Sequence, residues 1–564
     1  MSNRLGPMQE DPDPFDIDAE SSALTTEPPA GRPRSVVGFV GPIVLVVLMI
    51  GVAVLAMLSV TPQPSAIVPA ARPEGADLVI AGASTVAWDP ALAGDAQSAS
   101  VLAQLWEGLT TFDPAAQVQP ALAESWEVSE GGHRLTFTLR PGITFSDGTP
   151  ITSQDVVASW LRIIDPVTPG PLSGLLTDIV GAAEYMAGTA SASDVGLRAD
   201  GDRVVVDFVR PASWFPAAAA APTLAVVPSS LPAAASGPVL PDDLVVSGAY
   251  IPSDQDEDGF LLTANPRYWA GTPAIERIRQ VTSLDDGSVD AFQAGDVDYV
   301  NISSDDASWI RYDRTLGPQL RRSDDLSVEY YGFDATRPPF DDPRVRQAFA
   351  WAVDWDSIVR LSDATAVPAT SMVPPGIAGR GDGDFSPVFD PDAARAAMAA
   401  AGYPGGVGFP KVTLVTSGSI YQDAILDGIQ RELGITLTAE QMPFAEYSAR
   451  LDSDTPRMWS LAWSADYPHP YDFLGLLLET GSPSNAGGWS DTAFDDALDA
   501  AAATGDAAEQ EAHYADAQRI VQDQVPVMPL RYGETWALSR DGLLGAAQSG
   551  IGIVRYAGLD WADR

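Results

Sequence analysis

The chain has 564 residues, no cysteine, and 32 Lys+Arg against 76 Asp+Glu, a formal net charge of −44. That balance excludes nucleic-acid binding, which needs a cationic face to displace phosphate counterions, and adhesion to anionic lipid through a basic patch. The lack of cysteine removes disulfides, thiol nucleophiles, thiolate metal sites and cysteine-borne lipids, while a 46% hydrophobic content is ample for several folded domains.

Residues 1–35 are polar and acidic without periodicity, predicting a disordered cytoplasmic tail. Residues 36–60, "VVGFVGPIVLVVLMIGVAVLAMLSV", carry no charge and exceed the roughly 20 apolar residues that span a bilayer. Arg32 and Arg34 flank the run on its N-terminal side. The positive-inside rule then predicts a single-pass signal-anchor in the cell membrane, N-terminus cytoplasmic and binding domain extracellular. A cleaved signal peptide is the alternative, and it exports the same remainder. Residues 61–76, rich in Pro and Ala, read as a linker.

The exported part interleaves strand and helix signals. "HRLTFTLR" alternates Leu135, Phe137 and Leu139 with polar residues, predicting a half-buried strand before a tight turn at Asp147-Gly148. Thr152, with Asp155 three residues on, predicts a capping box opening a helix whose Val156, Trp160 and Ile163 share a face. "RADGDRVVVDFV" predicts a hairpin turning at Asp200-Gly201, and "GAYIPSDQDEDGFLLTAN" two strands joined by an acidic turn. Asp342-Pro343 and Asp390-Pro391 pair an N-cap with proline at the first helical position. "KVTLVTSG" and "VPVMPLRYGETWALS" read as strands, with two helices joined at Gly505 before the latter. The class is α/β with more than one lobe.

No nucleophile elbow, Walker A loop or dinucleotide fingerprint appears, and His133, His469 and His513 are far apart. The expectation is a non-enzyme with no cofactor and no metal. Asp254, Asp256, Asp258 and Gly259 imitate a calcium loop, but position twelve is Asn265 and the flanks read as strands, so a solvated turn is expected. Asp466 ends an apolar strand-like run, "MWSLAWSADYPHPYDFLGLLL", before a proline-stiffened turn and an apolar helix. It is either a turn acid or an anion at a strand end facing a cleft; Trp459, Trp463 and Trp489 are either core or pocket wall.

Several blocks in order carry a resemblance: "PALAESWEVSEGGHRLTFTLRPGITFSDGTPITSQDVVASW", "NPRYWAGTPAIERI", "DAFQAGDVDYV", "PPFDDPRVRQAFAWAVDWDSIV", "DPDAARAAMAAAGYPGG", "WSADYPHPYDFLGLLLETGSPSNAGGWSDTAFDDALDAA" and "YADAQRIVQDQVPVMPL". From about residue 77 to 540 the chain resembles the extracellular solute-binding proteins of ABC importers, family 5, the dipeptide/oligopeptide-binding group. The resemblance implies a two-lobed periplasmic-binding-protein type II fold with an extra subdomain inserted in the first lobe. Matching blocks place the first lobe at 77–105, 236–329 and 531–564, the insert at 106–235 and the second lobe at 330–530. It further implies that Asp466 holds a peptide's α-ammonium group, and that residues 462–465 pair with an extended peptide backbone. The candidate ligand contacts are Asp466, Ala462, Trp463, Ser464, Ala465, Tyr330 and Trp489. The implied partners are a peptide ligand and the permease and ATPase subunits of an importer, with a monomeric ectodomain. Asp334 departs from the family's usual "GFN", and no cation for a peptide carboxylate is assignable. A same-fold receptor for a metal chelate or oligosaccharide, or a non-transport sensor ectodomain, stands as the alternative.

Overall fold

The computed structural model describes residues 77–562 apart from Val86, Asp285, Asp286 and Ala364. The tail, signal-anchor and linker expected over 1–76 lie outside the described residues. Within those described, no helix is long and apolar enough to cross a membrane.

One mixed sheet runs through the molecule. Its strands lie in the order Leu437–Gln441, Val412–Thr416, Met458–Ser464, Leu320–Phe333, Val527–Ser539, Tyr299–Ile302, Leu78–Ala81, Arg277–Val281, Gly259–Ala264 and Tyr250–Ser253. Leu320–Phe333 and Val527–Ser539 are the long ones, 14 and 13 residues, and they pair antiparallel in the middle. Trp536–Ser539, with Leu320–Arg322 opposite, pairs with Tyr299–Ile302, while Ser327–Phe333, with Val527–Tyr532 opposite, pairs with Met458–Ser464, so these two segments cross between the lobes. The ladder between them shifts register from Asp324 to Val328. Such a bulge unpairs a few residues and twists the strand. Here it turns the backbone of Leu326 sideways: its N–H donates to the Gly550 carbonyl at 2.6 Å, and its carbonyl accepts from Ala465 N–H at 2.8 Å.

Local signals fold as read. Arg134–Leu139 alternates half-buried and buried positions in a four-stranded antiparallel sheet inside the insert. Thr152 and Asp155 form the capping box of Ser153–Ile163, and Asp342 and Asp390 cap their helices with proline next. In the acidic turn Asp256 accepts from the N–H groups of Asp258 and Gly259 and pairs with Arg279 at 2.5 Å, so its carboxylate is satisfied within the chain. No group of acids and histidines suited to a metal occurs among the described residues.

Residues between 91 and 226 share one apolar core with residues between 326 and 532. The Trp214 ring stacks on Tyr471 at 4.9 Å and on Tyr467 at 5.6 Å, and Arg210 bridges to Glu479 at 2.5 Å. The boundary positions Glu329 and Arg531 face each other across the two crossing strands.

Gly332 sits opposite Trp459, on the strand beside it. A Cβ at Gly332 would lie 2.1 Å from the indole ring, so the bare backbone is what admits the Trp459 side chain. Gly332→Val is expected to destabilise the fold by roughly 2–4 kcal/mol, through overpacking against a ring that cannot move aside. Chemical denaturation checks this, and an unchanged midpoint would count against it.

Candidate functional site

Met458–Ser464 pairs along its whole length with the crossing strand, from Phe333↔Met458 to Ser327↔Ser464. On its other edge Val412–Thr416 reaches only Met458 and Trp459. Ser460 is still engaged there, its hydroxyl bonded to Thr416 and its carbonyl to the Tyr447 hydroxyl. From Leu461 to Ser464 that edge has no strand partner among the described residues. An unpaired strand edge is a template for another extended chain.

Two cavities meet at this edge, both lined by Leu461 and Ala462. The larger, about 680 Å³, is polar and takes in Asp305 and Ser308 from the first lobe, Glu329 and Arg531 from the crossing strands, and Ser419 and Tyr421 from the second lobe. Glu329 accepts from the Ser419 hydroxyl at 2.6 Å and from Arg531 Nε at 2.9 Å, and the Arg531 guanidinium lies 5.7 Å from the Tyr421 ring centre. Among the described residues, Arg531 is the single cation lining either cavity. The smaller, about 550 Å³, is uncharged, with Phe444, Leu451, Trp463 and Leu477 in its wall. Successive side chains of an extended peptide point to opposite faces, so a strand added at this edge would send alternate side chains into the two cavities.

Asp466 follows the edge by two residues. It is half-buried, and no described cation pairs with it. Burial pushes its carboxyl above the ordinary range. Close by, Asp472 is completely buried on the helix Pro470–Leu478 and accepts from the Trp463 indole N–H at 2.9 Å. Its Oδ1 has no hydrogen-bond partner. Burial, then repulsion from Asp466, pushes the Asp472 carboxyl well above its ordinary value. Asp325, in the bulge, is also raised by burial, although the Ser327 hydroxyl donates to it at 2.8 Å. His469 caps the same helix, its Nδ1 accepting the Tyr471 N–H at 3.2 Å. Burial holds its imidazole down to about 3, so the ring is neutral and serves as an acceptor.

Ala462, Trp463, Ser464, Ala465 and Asp466 follow one another along one strand end, where Ala462 and Trp463 line a cavity and Ser464, Ala465 and Asp466 line neither. The structure does not bring Tyr330 or Trp489 there. Tyr330 is buried and packs edge-on to Trp459 at 5.5 Å; it points away from the larger cavity because its neighbour Glu329 points in. Trp489 is buried against Phe494 at 5.0 Å and lines neither cavity. Asp334 is buried too, accepting from Thr336 and paired with Arg337, so it braces a turn and does not face a cleft. Glu329 and Arg531 escaped the sequence reading; the polar alternation in "SVEYYGF" and "LRYGE" was the available signal.

A family model described as "Bacterial extracellular solute-binding proteins, family 5 Middle" matches residues 117–485. The chain is a family 5 extracellular solute-binding protein. This family 5 protein is 31% identical to the "Probable deoxycholate-binding periplasmic protein YgiS" of Escherichia coli K12, over 79% of this chain and 85% of that one. It is 25% identical to the "Oligopeptide-binding protein OppA" of Bacillus subtilis, over 83% and 89% of the two chains. In fold it is similar to the unliganded open form of the murein tripeptide binding protein MppA, with a TM-score of 0.76 at 24% identity, covering 86% of this chain and 97% of that one.

The buried acids set a pH dependence for the unliganded family 5 protein. A carboxyl whose folded value is raised above its unfolded value leaves the folded state binding more protons between the two, so its contribution to stability falls as pH rises through that interval. Asp472→Asn is therefore expected to gain thermal stability over the native chain at neutral pH. The gain should shrink toward about pH 4, where the unfolded acid is also protonated. Thermal denaturation across that range checks the sign.

Proposed function

We propose that this family 5 protein captures extracellular peptides between its lobes, as the substrate-binding component of an ABC importer. One observation carries the reading: an unpaired strand edge, Leu461 to Ser464, ends two residues before an acid with no cation of its own. Backbone pairing at the edge is indifferent to side-chain identity, and Asp466 supplies a charge-assisted bond to an α-ammonium group. The polar and apolar cavities on either side would accept alternate side chains. Relatives named for oligopeptide binding agree with this.

A second reading follows from the relative named for deoxycholate and from the uncharged lining of the smaller cavity. A bile acid is an anion, and the lining of the smaller cavity holds no cation to pair with its carboxylate. The peptide amine suits Asp466 better.

Thermal shift of the full-length protein separates the readings: a free-amine peptide should stabilise it, the N-acetylated peptide less so, and deoxycholate not at all. Equal stabilisation by the two peptides would refute the amine-holding role. Asp466→Asn is expected to weaken free-amine peptides about tenfold to a hundredfold, since a hydrogen bond to a charged group is worth roughly 1.5–3 kcal/mol.

We also propose that residues 36–60 tether the receptor to the membrane, a substitute for the lipidated cysteine that this chain lacks. Deleting them should move the protein from the membrane fraction to the medium or soluble fraction; retention in the membrane would reject the anchor.

A further inference from the structure

The apolar helix after the strand holds an acid that a single amine-binding residue does not explain. Asp472 is 0% exposed. One carboxyl oxygen takes the Trp463 indole N–H and the other makes no well-formed hydrogen bond, although the backbone N–H groups of Asp466 and Tyr467 point toward the carboxyl and offset part of the cost of its burial. Burying an unpaired charge is costly unless the group is neutralised or paired. Among the described residues its surroundings offer no free cation. Asp466 lies in the bend just before the helix Pro470–Leu478, and Tyr467, Tyr471 and Tyr514 crowd the region with buried rings. His469 is held neutral. From the crossing strand comes another acid, Asp325, behind the Leu326 carbonyl that holds Ala465. The insert's Arg210 is taken by Asp178 and Glu479.

Two carboxyl groups that repel each other in a dry site do not both ionise; one proton stays with the pair. An incoming ammonium group reverses this, because a cation beside the pair favours the doubly ionised state. We propose that the amine seat of this protein is an acid pair, in which Asp472 positions Trp463 and shares one proton with Asp466 until a ligand ammonium expels it to solvent. This rests on the peptide reading above and deepens it: the ligand class is one bearing a primary ammonium, and its capture is coupled to proton release. The ammonium keeps its own three protons, and the one released comes from the pair. Asp472 does not touch the ligand. It acts through Asp466, by charge, and through Trp463, by fixing the indole in the wall of the smaller cavity.

The coupling has a sign. The unliganded pair holds a proton that the complex does not, so affinity for a free-amine peptide rises with pH, by up to about tenfold per pH unit, until the unliganded pair is itself fully ionised.

Two measurements on the full-length protein test it, one of them free of ligand. Infrared difference spectra of the unliganded chain, native minus Asp472→Asn, should show a protonated carboxylic band near neutral pH. Calorimetry of a free-amine peptide in buffers of different ionisation enthalpy should show proton release by the native protein. Asp472→Asn, in which the amide oxygen can still accept from the indole, should lose both the release and the pH slope. Absence of the carboxylic band, or a pH slope that persists in Asp472→Asn, overturns the pair. A band with pH-independent peptide affinity overturns the coupling. A band with no binding of any free-amine peptide overturns the peptide reading and the coupling together, and leaves the protonated pair as a property of the unliganded site. The infrared arm needs the variant folded, which circular dichroism checks; the native proton release does not depend on the variant.

Discussion

The antiparallel pairing of Leu320–Phe333 with Val527–Ser539 is the constraint on which the rest of the molecule depends. These segments lie about 200 residues apart in the chain, yet each passes from one lobe's strands to the other's. Every element of the second lobe lies between them in sequence, so the ladder closes that lobe as a loop and sets its position against the first. The ladder also places Glu329 and Arg531 side by side at the passage, where their ion pair floors the larger cavity.

The bulge in this ladder connects scaffold to site. A regular ladder would use the Leu326 backbone groups within the sheet. The register shift frees them to hold Ala465 on one side and Gly550 on the other. Asp466 is therefore held by the crossing strand through its immediate neighbour and does not hang on a loose turn. Gly533, opposite, keeps this arrangement open: a Cβ there would lie 2.1 Å from the Ser327 hydroxyl and 2.9 Å from an Asp325 oxygen.

Much of the fold was legible because it is written in local chemistry. Alternation around Phe137, the Thr152–Asp155 capping box and the Asp-Pro helix starts each specify structure within a few residues, and each formed. The order of the blocks carried the family. The candidate edge from Ala462 to Asp466 could be read as one stretch because those residues are contiguous. The site was not legible across strands. Whether Tyr330 or Glu329 faces the cavity is decided by which face of the sheet the apolar core covers, and that core is assembled from residues between 91 and 226 and residues between 326 and 532 together. Trp489 is buried by Phe494, five residues away, a contact that its sequence neighbourhood did not distinguish from a pocket wall. Arg531 gains its place from Glu329, 202 residues earlier. The sharing of that core rests on the stacking of Trp214 against Tyr471, which no motif announces.

The Leu326–Ala465 bond also has a mechanical meaning. The chain that would receive a guest is tied, at a distance of one residue, to the kink of the strand that joins the lobes. A tug on the receiving end is a tug on the joint. A guest paired at that edge would therefore load the same backbone that joins the lobes.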